Sequence, residues 1–161
     1  MNKAAFLDRD GVINVDILDY TWRKEDFKFL PGVIAGLKEL QDKGFLLIVI
    51  TNQGGIAKGK YTKADVDALH TWMRNELEKN GVHITEIYFC PHHDQFGKCL
   101  CRKPGSVMLE KAIARFNIDP ALSFFVGDKE TDVQAGIGAG VRPVHVVANS
   151  AFDTGKFLSR E

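Results

Sequence analysis

Two aspartates, Asp8 and Asp10, directly follow the first apolar run of the chain in the stretch AAFLDRDGVIN. Like charges this close together need a cation or a shared proton between them. One interpretation makes Asp8 a nucleophile and Mg²⁺ ligand, while Asp10 gives a backbone carbonyl to the metal and a carboxyl group to acid–base chemistry. The alternative is an ordinary Asp-Gly surface turn. The motif alone leaves both interpretations open.

Three further stretches carry groups that suit phosphate chemistry. FFVGDKETD places Asp128 and Asp132 after another apolar run, where they could hold a hard cation or cap a helix. VITNQGGIAKG offers the Thr51 hydroxyl and a glycine-containing loop, which is either a phosphate cradle or a polar turn. CRKPG supplies Arg102 and Lys103, which can neutralise phosphate charge. Together the four stretches contain what phosphoryl transfer requires.

All three cysteines lie in CPHHDQFGKCLC, residues 90–101, together with two adjacent histidines. Three sulfurs and one imidazole nitrogen fit a tetrahedral Zn²⁺ site, and four protein ligands leave no position for a reacting water. The pattern therefore indicates a structural zinc. A disulfide is the alternative, but Cys99 and Cys101 make a poor pair, and any single bridge leaves an odd thiol.

Composition indicates one soluble domain over residues 1–161. The chain is 45% hydrophobic, and its 21 basic residues balance 21 acidic ones. This balance gives no reason to expect nucleic acid or membrane held by bulk charge. The N-terminus lacks an apolar signal core, and no run approaches the roughly 18 apolar residues of a membrane helix. We therefore expect a cytoplasmic protein, where clustered cysteines are metal ligands more often than disulfides.

Short apolar runs alternate with amphipathic segments along the chain. The predicted strands are Ala4–Leu7, Phe45–Thr51, Glu86–Phe89, Ser123–Val126 and Pro143–Val147. The predicted helices are Val33–Lys43, Thr62–Asn80, Ser106–Phe116 and Thr131–Ala139. This alternation predicts a doubly wound α/β fold around a parallel sheet. Such sheets bind ligands at the carboxyl ends of their strands, where all four chemical stretches fall.

The ordered motifs DRDG, TNQ, RK and GDKETD resemble those of the haloacid dehalogenase-like phosphatase superfamily, over nearly the whole chain. The resemblance implies a Rossmann-like domain. We expect no large cap, because the segments between Gly11 and Pro31 and between Gly54 and Thr62 have room only for loops. The resemblance also implies Mg²⁺-dependent hydrolysis of a phosphomonoester, in which Asp8 is phosphorylated and Asp10 protonates the leaving oxygen. Thr51 then corresponds to the phosphate-binding hydroxyl, Lys103 to the stabilising cation, and Asp128 to the second magnesium carboxylate. Such a mechanism also requires surroundings that keep Asp10 protonated when substrate arrives.

Within the superfamily, CPHH…CLCRKP resembles the zinc-containing branch, which implies that His92 is the histidine ligand and His93 is spare. The implied zinc ligands are Cys90, His92, Cys99 and Cys101. GIAKG is most similar to the branch's heptose 1,7-bisphosphate 7-phosphatases, although KPGSVML departs from their usual K-P-x-P-G-M-L. The implied substrate is a small phosphorylated sugar. The protein is expected to be a monomer. The implied substrate contacts are Asp16, Asp19, Thr51, Asn52, Gln53, Gly54, Arg102, Lys103 and Lys129.

Other functions share some of these features. Histidinol-phosphatases of the same branch use the same chemistry on another substrate. A polynucleotide 3′-phosphatase also fits the motifs, but the sequence has no evident basic track for a polymer. A non-catalytic zinc-loop binding module would need a basic surface and would not need the aspartates. The remaining histidines, His70, His83 and His145, are interpreted as non-catalytic.

Overall fold

The computed structural model describes residues 1–160 and contains a five-stranded sheet whose paired strands are all parallel. The strands are β1 (Lys3–Leu7), β2 (Phe45–Asn52), β3 (Glu86–Cys90), β4 (Phe124–Gly127) and β5 (Arg142–His145). Their order across the sheet is β3-β2-β1-β4-β5. The chain therefore adds strands on one side of β1 and then on the other.

Five α-helices accompany the sheet: α1 (Val33–Asp42), α2 (Lys63–Glu78), α3 (Val107–Arg115), α4 (Glu130–Gly138) and α5 (Thr154–Leu158). The start of α2 follows from its sequence, because Thr62 and Asp65 form a reciprocal capping box. The backbone N–H of Asp65 donates to the Thr62 hydroxyl at 3.1 Å, and that of Thr62 donates to the Asp65 carboxylate at 2.8 Å. Two otherwise unpaired N–H groups are thus satisfied at the first turn.

Two hydrophobic cores lie on opposite faces of the sheet. On β1, Ala5 and Leu7 join a core with the apolar faces of α1, α2 and α5, while Ala4 and Phe6 join one with α3 and α4. Alternation of side chains along a strand sends neighbours to opposite faces. Both faces are covered, which explains why the central strands are almost continuously apolar.

The predicted doubly wound architecture is confirmed, and the four predicted helices and five predicted strands occur with shifted ends. The short helix α5 was not predicted. The last strand stops at His145, two residues before its predicted end. No helix within residues 1–160 is long and apolar enough to cross a membrane.

The order of the strands determines where the chemical stretches meet. Leu7 pairs with Val49 of β2 on one side and with Val126 of β4 on the other. The loops after β1 and β4 therefore emerge side by side, where successive connections turn in opposite directions. This is the position at which open parallel sheets bind their ligands.

Candidate active site

The buried side chains of Asp8 and Asp132 share one cation. The Lys103 Nζ lies 3.0 Å from the Asp8 Oδ1 and 2.6 Å from the Asp132 Oδ1, and all three side chains are at most 7% exposed. The same ammonium donates to the carbonyl of Ile50 at 3.0 Å. Burial acts to lower the pKa of Lys103, but the two carboxylates outweigh it and raise that pKa. Lys103 is thus held as a cation beside the proposed nucleophile.

The pKa of Asp8 is raised to about 8. Burial is the main cause; Lys103 opposes it, while Asp132, Asp128 and Asp10 add to the rise. A carboxyl group with this pKa is only partly ionised at neutral pH. A bound cation would favour its ionised, nucleophilic form.

A group of carboxylates here fits a hard divalent cation. Oxygens of Asp8, Asp128 and Asp132 lie within 4.8 Å of one another. The Asp128 Oδ1 is buried without a hydrogen-bond partner in the protein. Gly11 has a φ of +87°, and a Cβ there would lie 2.7 Å from the Asp128 Oδ2. The turn after Asp10 therefore needs glycine both for its backbone conformation and for the space occupied by Asp128.

The Asp10 carboxylate is held by neighbouring donors. Its Oδ1 accepts from the Arg9 Nη2 at 2.8 Å, the Arg9 Nε at 3.1 Å and the Asn14 Nδ2 at 2.9 Å. Its Oδ2 accepts from the Gln53 Nε2 at 3.3 Å. Burial acts to raise the pKa of Asp10, but Arg9 and these hydrogen bonds outweigh it and lower that pKa. The free site therefore does not by itself keep Asp10 protonated, because Arg9, Asn14 and Gln53 stabilise the anion more than burial disfavours it.

A cavity of about 340 Å³ opens over these groups. Thr51, at the end of β2, is fully buried, and its hydroxyl accepts from the Gln53 Nε2 at 3.0 Å. Asn52 bridges to the neighbouring loop: it accepts from the Lys103 N–H at 3.0 Å and donates to the Lys103 carbonyl at 3.2 Å. The loops after β2 and β3 are thus joined beneath the cavity.

The cysteine cluster forms a separate site beside the cavity. The Cys99 Sγ lies 3.7 Å from the Cys90 Sγ and 3.8 Å from the Cys101 Sγ, while the Cys90 and Cys101 Sγ atoms are 2.9 Å apart. The His92 Nδ1 lies 3.4 Å from the Cys90 Sγ and 3.2 Å from the Cys101 Sγ. A tetrahedron with Zn–S bonds of about 2.3 Å has sulfurs about 3.8 Å apart. The two separations from Cys99 match this spacing, whereas the 2.9 Å between Cys90 and Cys101 is shorter. The cysteines are free thiols, and the donor set fits zinc.

The cysteine loop is tied directly to the cavity. The Arg102 Nη1 donates to the His92 carbonyl at 3.0 Å. A Cβ on Gly54 would lie 2.9 Å from that same Nη1 and 2.9 Å from the His93 ring. The absence of a side chain at Gly54 thus lets the loops after β2 and β3 approach closely.

The structure brings the predicted site residues together. All the predicted substrate contacts line the cavity, as do Asp8 and Asp10, whereas Asp128 belongs to the adjoining carboxylate group. Lys129 forms a 3.6 Å ion pair with Asp128. The roles of Arg9 and Tyr20 near the site and the pairing of Asp132 with Lys103 were not predicted, and His70, interpreted as non-catalytic, lies against Arg9. Only Arg9 gave a sequence signal, as a charged residue between two carboxylates at a strand end.

The chain is similar to known proteins over most of its length. A family model described as polynucleotide kinase 3 phosphatase matches residues 3–139. The D-glycero-beta-D-manno-heptose-1,7-bisphosphate 7-phosphatase of Haemophilus influenzae is 47% identical over 148 residues, which cover 88% of this chain and 79% of the relative. The Escherichia coli K12 protein of that name is 46% identical over 144 residues, covering 86% and 75%.

Solved structures extend the comparison to the fold. The D,D-heptose 1.7-bisphosphate phosphatase from B. bronchiseptica, complexed with magnesium and phosphate, superposes with a TM-score of 0.82 at 34% identity. The match covers 88% of this chain and 78% of that chain. A strand-end carboxylate group under a cavity in a doubly wound sheet is the arrangement of haloacid dehalogenase-like phosphatases. The chain belongs to the polynucleotide kinase 3 phosphatase family of this superfamily, and it is a phosphatase.

Proposed function

We propose that the chain hydrolyses the 7-phosphate of D-glycero-D-manno-heptose 1,7-bisphosphate, with Asp8 as the nucleophile. The proposal is carried by the buried pair of Asp8 and Lys103 at the floor of the cavity, 3.0 Å apart. The names of relatives that are 44–47% identical support the choice of substrate. Those names include both anomers, since the Photorhabdus laumondii relative is the alpha enzyme. The proposal therefore leaves the configuration at the first carbon open.

Mg²⁺ would be held by the carboxylates of Asp8 and Asp128 and by the backbone carbonyl of Asp10. The unpartnered buried Oδ1 of Asp128 supports this ligand set. Asp132 instead pairs with Lys103 and accepts from the Lys129 N–H at 3.1 Å. When bound, Mg²⁺ supplies positive charge that offsets the repulsion between the carboxylates and the phosphate.

The reaction proceeds in two steps. An Asp8 oxygen attacks phosphorus as the bond to the sugar oxygen breaks, and Asp10 gives its proton to that oxygen. Water then attacks the aspartyl-phosphate, Asp10 takes a proton from it, and phosphate leaves with the Asp8 carboxylate restored. Lys103 and Thr51 steady the phosphoryl oxygens during both steps.

The protonation of Asp10 must accompany substrate binding. The free site stabilises its anion, as its lowered pKa shows. An incoming phosphate dianion places negative charge near this carboxylate and thereby favours its protonated form. Alternatively, a phosphate that binds as the monoanion brings the proton with it.

The rim of the cavity suits a short sugar bisphosphate. Arg102 and Lys129 supply two cations beyond Lys103 for the phosphate that remains. The rim also carries Asp16 and Asp19, whose carboxylates can accept hydrogen bonds from sugar hydroxyls. A polynucleotide is a poorer fit because these carboxylates would repel its phosphates. Histidinol phosphate has no second phosphate for Arg102 and Lys129 to bind, which makes it the second choice.

The cysteine cluster would hold a structural Zn²⁺ through Cys90, His92, Cys99 and Cys101. Burial, helped by the hydrogen bond with Cys101, raises the pKa of the Cys90 thiol in the metal-free protein. Zinc would deprotonate it, since the metal binds thiolate. The proposed role is to fix the loop that presents Arg102 and Lys103.

The test measures phosphate release with Mg²⁺ from heptose 1,7-bisphosphate, histidinol phosphate and a 3′-phosphorylated oligonucleotide. We expect the highest kcat/KM on the heptose bisphosphate. Asp8→Asn should lower turnover at least about 10³-fold, because the aspartyl-phosphate cannot form on an amide in the place of the Asp8 carboxylate. Its circular dichroism should match that of the parent protein. A higher kcat/KM on either other substrate would reject the heptose assignment, and parent-level turnover by Asp8→Asn would reject the nucleophile.

A further inference from the structure

We infer that Arg9 and His70 are positioning residues that hold the Asp10 carboxyl group in one orientation, with its Oδ2 free to deliver the proton to the leaving group. The inference rests on the proposed function, because it assigns partners to the acid–base group named there. It concerns a polar chain, from His70 through Arg9 to Asp10, that connects helix α2 to the cavity.

Arg9 is unusual because its side chain is completely buried. Its Nη2 donates to the Thr21 carbonyl at 2.7 Å and to the Asp10 Oδ1 at 2.8 Å. Its Nε donates to the same Asp10 oxygen at 3.1 Å, and its Nη1 lies 3.1 Å from the His70 Nε2. Hydrogen bonds to three different partners fix the orientation of the Arg9 guanidinium. The Asp10 carboxylate that it binds is therefore fixed as well.

His70 completes this arrangement by accepting a hydrogen bond. A guanidinium only donates, so the His70 Nε2 must be the unprotonated ring nitrogen, and the ring must be neutral with its proton on Nδ1. The Phe89 ring packs edge-on against the imidazole, with the ring centroids 5.8 Å apart. His70 is only 6% exposed. It therefore supplies the buried acceptor that the Arg9 Nη1 requires without adding a charge.

The two oxygens of Asp10 are left unequal. Oδ1 accepts three hydrogen bonds, two from Arg9 and one from Asn14. Oδ2 has a single long contact, 3.3 Å to Gln53, which lines the cavity together with Thr51. Oδ1 has little capacity left for a proton, so Oδ2 is the oxygen that can carry one to the substrate.

Loss of the His70 acceptor would leave a buried N–H of Arg9 unpaired. An unsatisfied buried donor costs about 1–3 kcal/mol of folding free energy. The Arg9 side chain would therefore reorient, or a water molecule would enter, to restore a hydrogen-bond partner. The hydrogen bonds from Arg9 that orient the Asp10 carboxyl group, and with it Oδ2, would then be weakened. Acid catalysis is sensitive to such displacement because its advantage depends on the orientation of the donor.

Two substrates with different leaving groups distinguish a role in proton delivery from a role in stabilising the fold. An alkoxide leaving from a sugar needs a proton, whereas p-nitrophenolate leaves readily without one. We would measure kcat/KM, which reports the steps up to phosphorylation of Asp8, on heptose 1,7-bisphosphate and on p-nitrophenyl phosphate. The variants are His70→Leu, which fills the space without an acceptor, and His70→Gln, whose amide oxygen can accept from Arg9.

We expect His70→Leu to lose at least about tenfold in kcat/KM on the sugar phosphate, which is part of the 10²–10⁴-fold that general acid catalysis supplies in full. Its loss on the aryl phosphate should stay below about threefold, and His70→Gln should remain near the parent protein on both substrates. His83→Ala is the control, since His83 is exposed and pairs with Glu78 at 2.7 Å, away from Arg9. Circular dichroism and thermal midpoints establish that each variant folds.

A chemical rescue tests the same role without relying on His70→Leu. His70 lines a second cavity of about 260 Å³, together with residues that include Thr71 and Phe89. In His70→Ala, added imidazole can enter from this side and accept from Arg9. We expect imidazole to restore cleavage of the sugar phosphate in His70→Ala and to leave the parent protein unchanged.

The inference would be overturned if a folded His70→Leu lost kcat/KM equally on both substrates or lost none on either. It would also be overturned if imidazole failed to restore cleavage of the sugar phosphate by His70→Ala. These outcomes leave the proposed function intact if the parent protein cleaves the sugar phosphate and Asp8→Asn does not. Parent-level turnover by Asp8→Asn would instead reject the proposed chemistry, and the role of Asp10 with it.

Discussion

At the scale of single residues, the site contains more negative charge than its own cation can neutralise. Lys103 sits between Asp8 and Asp132, and Asp128 adds a third carboxylate within 4.8 Å of the other two. Without a metal, part of this charge is relieved by protonation, as the raised pKa of Asp8 shows. The excess charge is the physical basis of the proposed metal requirement.

His70 gives a prediction about stability and pH. Burial first, and then Arg9, lowers its pKa from an ordinary value of 6.5 to about 3. Between these values the unfolded chain binds the proton and the folded chain does not, so stability falls as the pH falls below about 6.5. The contribution is about 1.4 kcal/mol per pH unit, or roughly 2–3 kcal/mol by pH 4.5.

Denaturant unfolding of the parent protein and His70→Gln at pH 7 and 4.5 measures this contribution. Glutamine does not titrate, so the parent should lose about 2–3 kcal/mol more than the variant on acidification. The difference between the two proteins removes the opposite effect of Asp8, whose raised pKa favours the folded state as the pH falls. Parallel losses in both proteins would mean that His70 is protonated normally in the folded state.

At the scale of elements, the loop between β3 and α3 connects the cysteine cluster to the cavity. Cys101 directly precedes Arg102 and Lys103, and Asn52 fixes the backbone of Lys103 from the neighbouring loop. Most of the side chains from 94 to 100 are exposed, so apolar packing contributes little to holding this segment. The cluster is therefore expected to be its main restraint.

We predict that Cys101→Ala binds less than a full equivalent of zinc, unfolds at lower temperature and loses at least about tenfold in activity, since three ligands cannot close the tetrahedral shell. Metal analysis, thermal unfolding and phosphate release with excess Mg²⁺ measure these effects. Leu100→Ala is the matched control, because Leu100 is 82% exposed in the same loop. A metal-free Cys101→Ala protein with full stability and activity would refute the structural role.

At the scale of the whole molecule, the site ties together loops that follow β1, β2, β3 and β4. A ligand that binds these loops in the folded state alone stabilises the entire domain. Mg²⁺ should therefore raise the thermal midpoint of the parent protein by several degrees, as expected for about 2.7 kcal/mol at a hundredfold excess over Kd.

Asp128→Asn should lose most of the Mg²⁺-dependent rise. It should also unfold at a higher temperature than the parent protein when metal is absent, because one of three clustered carboxylates is neutral. Asp42→Asn, on the exposed face of α1, provides a control that keeps the rise. Scanning calorimetry with and without Mg²⁺ makes both comparisons, and an unchanged rise in Asp128→Asn would remove Asp128 from the metal site.

Much of the fold was predictable because its signals are local. Apolar runs followed by polar turns identified the five strands, and helical spacing identified four helices. The helix α5 escaped prediction because it has only five residues, and it is held by packing of Phe157 in the core. The predicted monomeric state and cytoplasmic location stay predictions.

The sequence by itself determined which residues could do chemistry and, through the order of its strands and helices, that they would meet at one edge of a sheet. Only the tertiary structure decided how they share charge. Lys103 pairs with Asp8 across 95 positions of the chain, and Arg9 reaches His70 across 61. Such partners are set by burial, which forces every donor and charge to find a complement. For the same reason the set of donors that stabilises the anion of Asp10 could not be read from its motif.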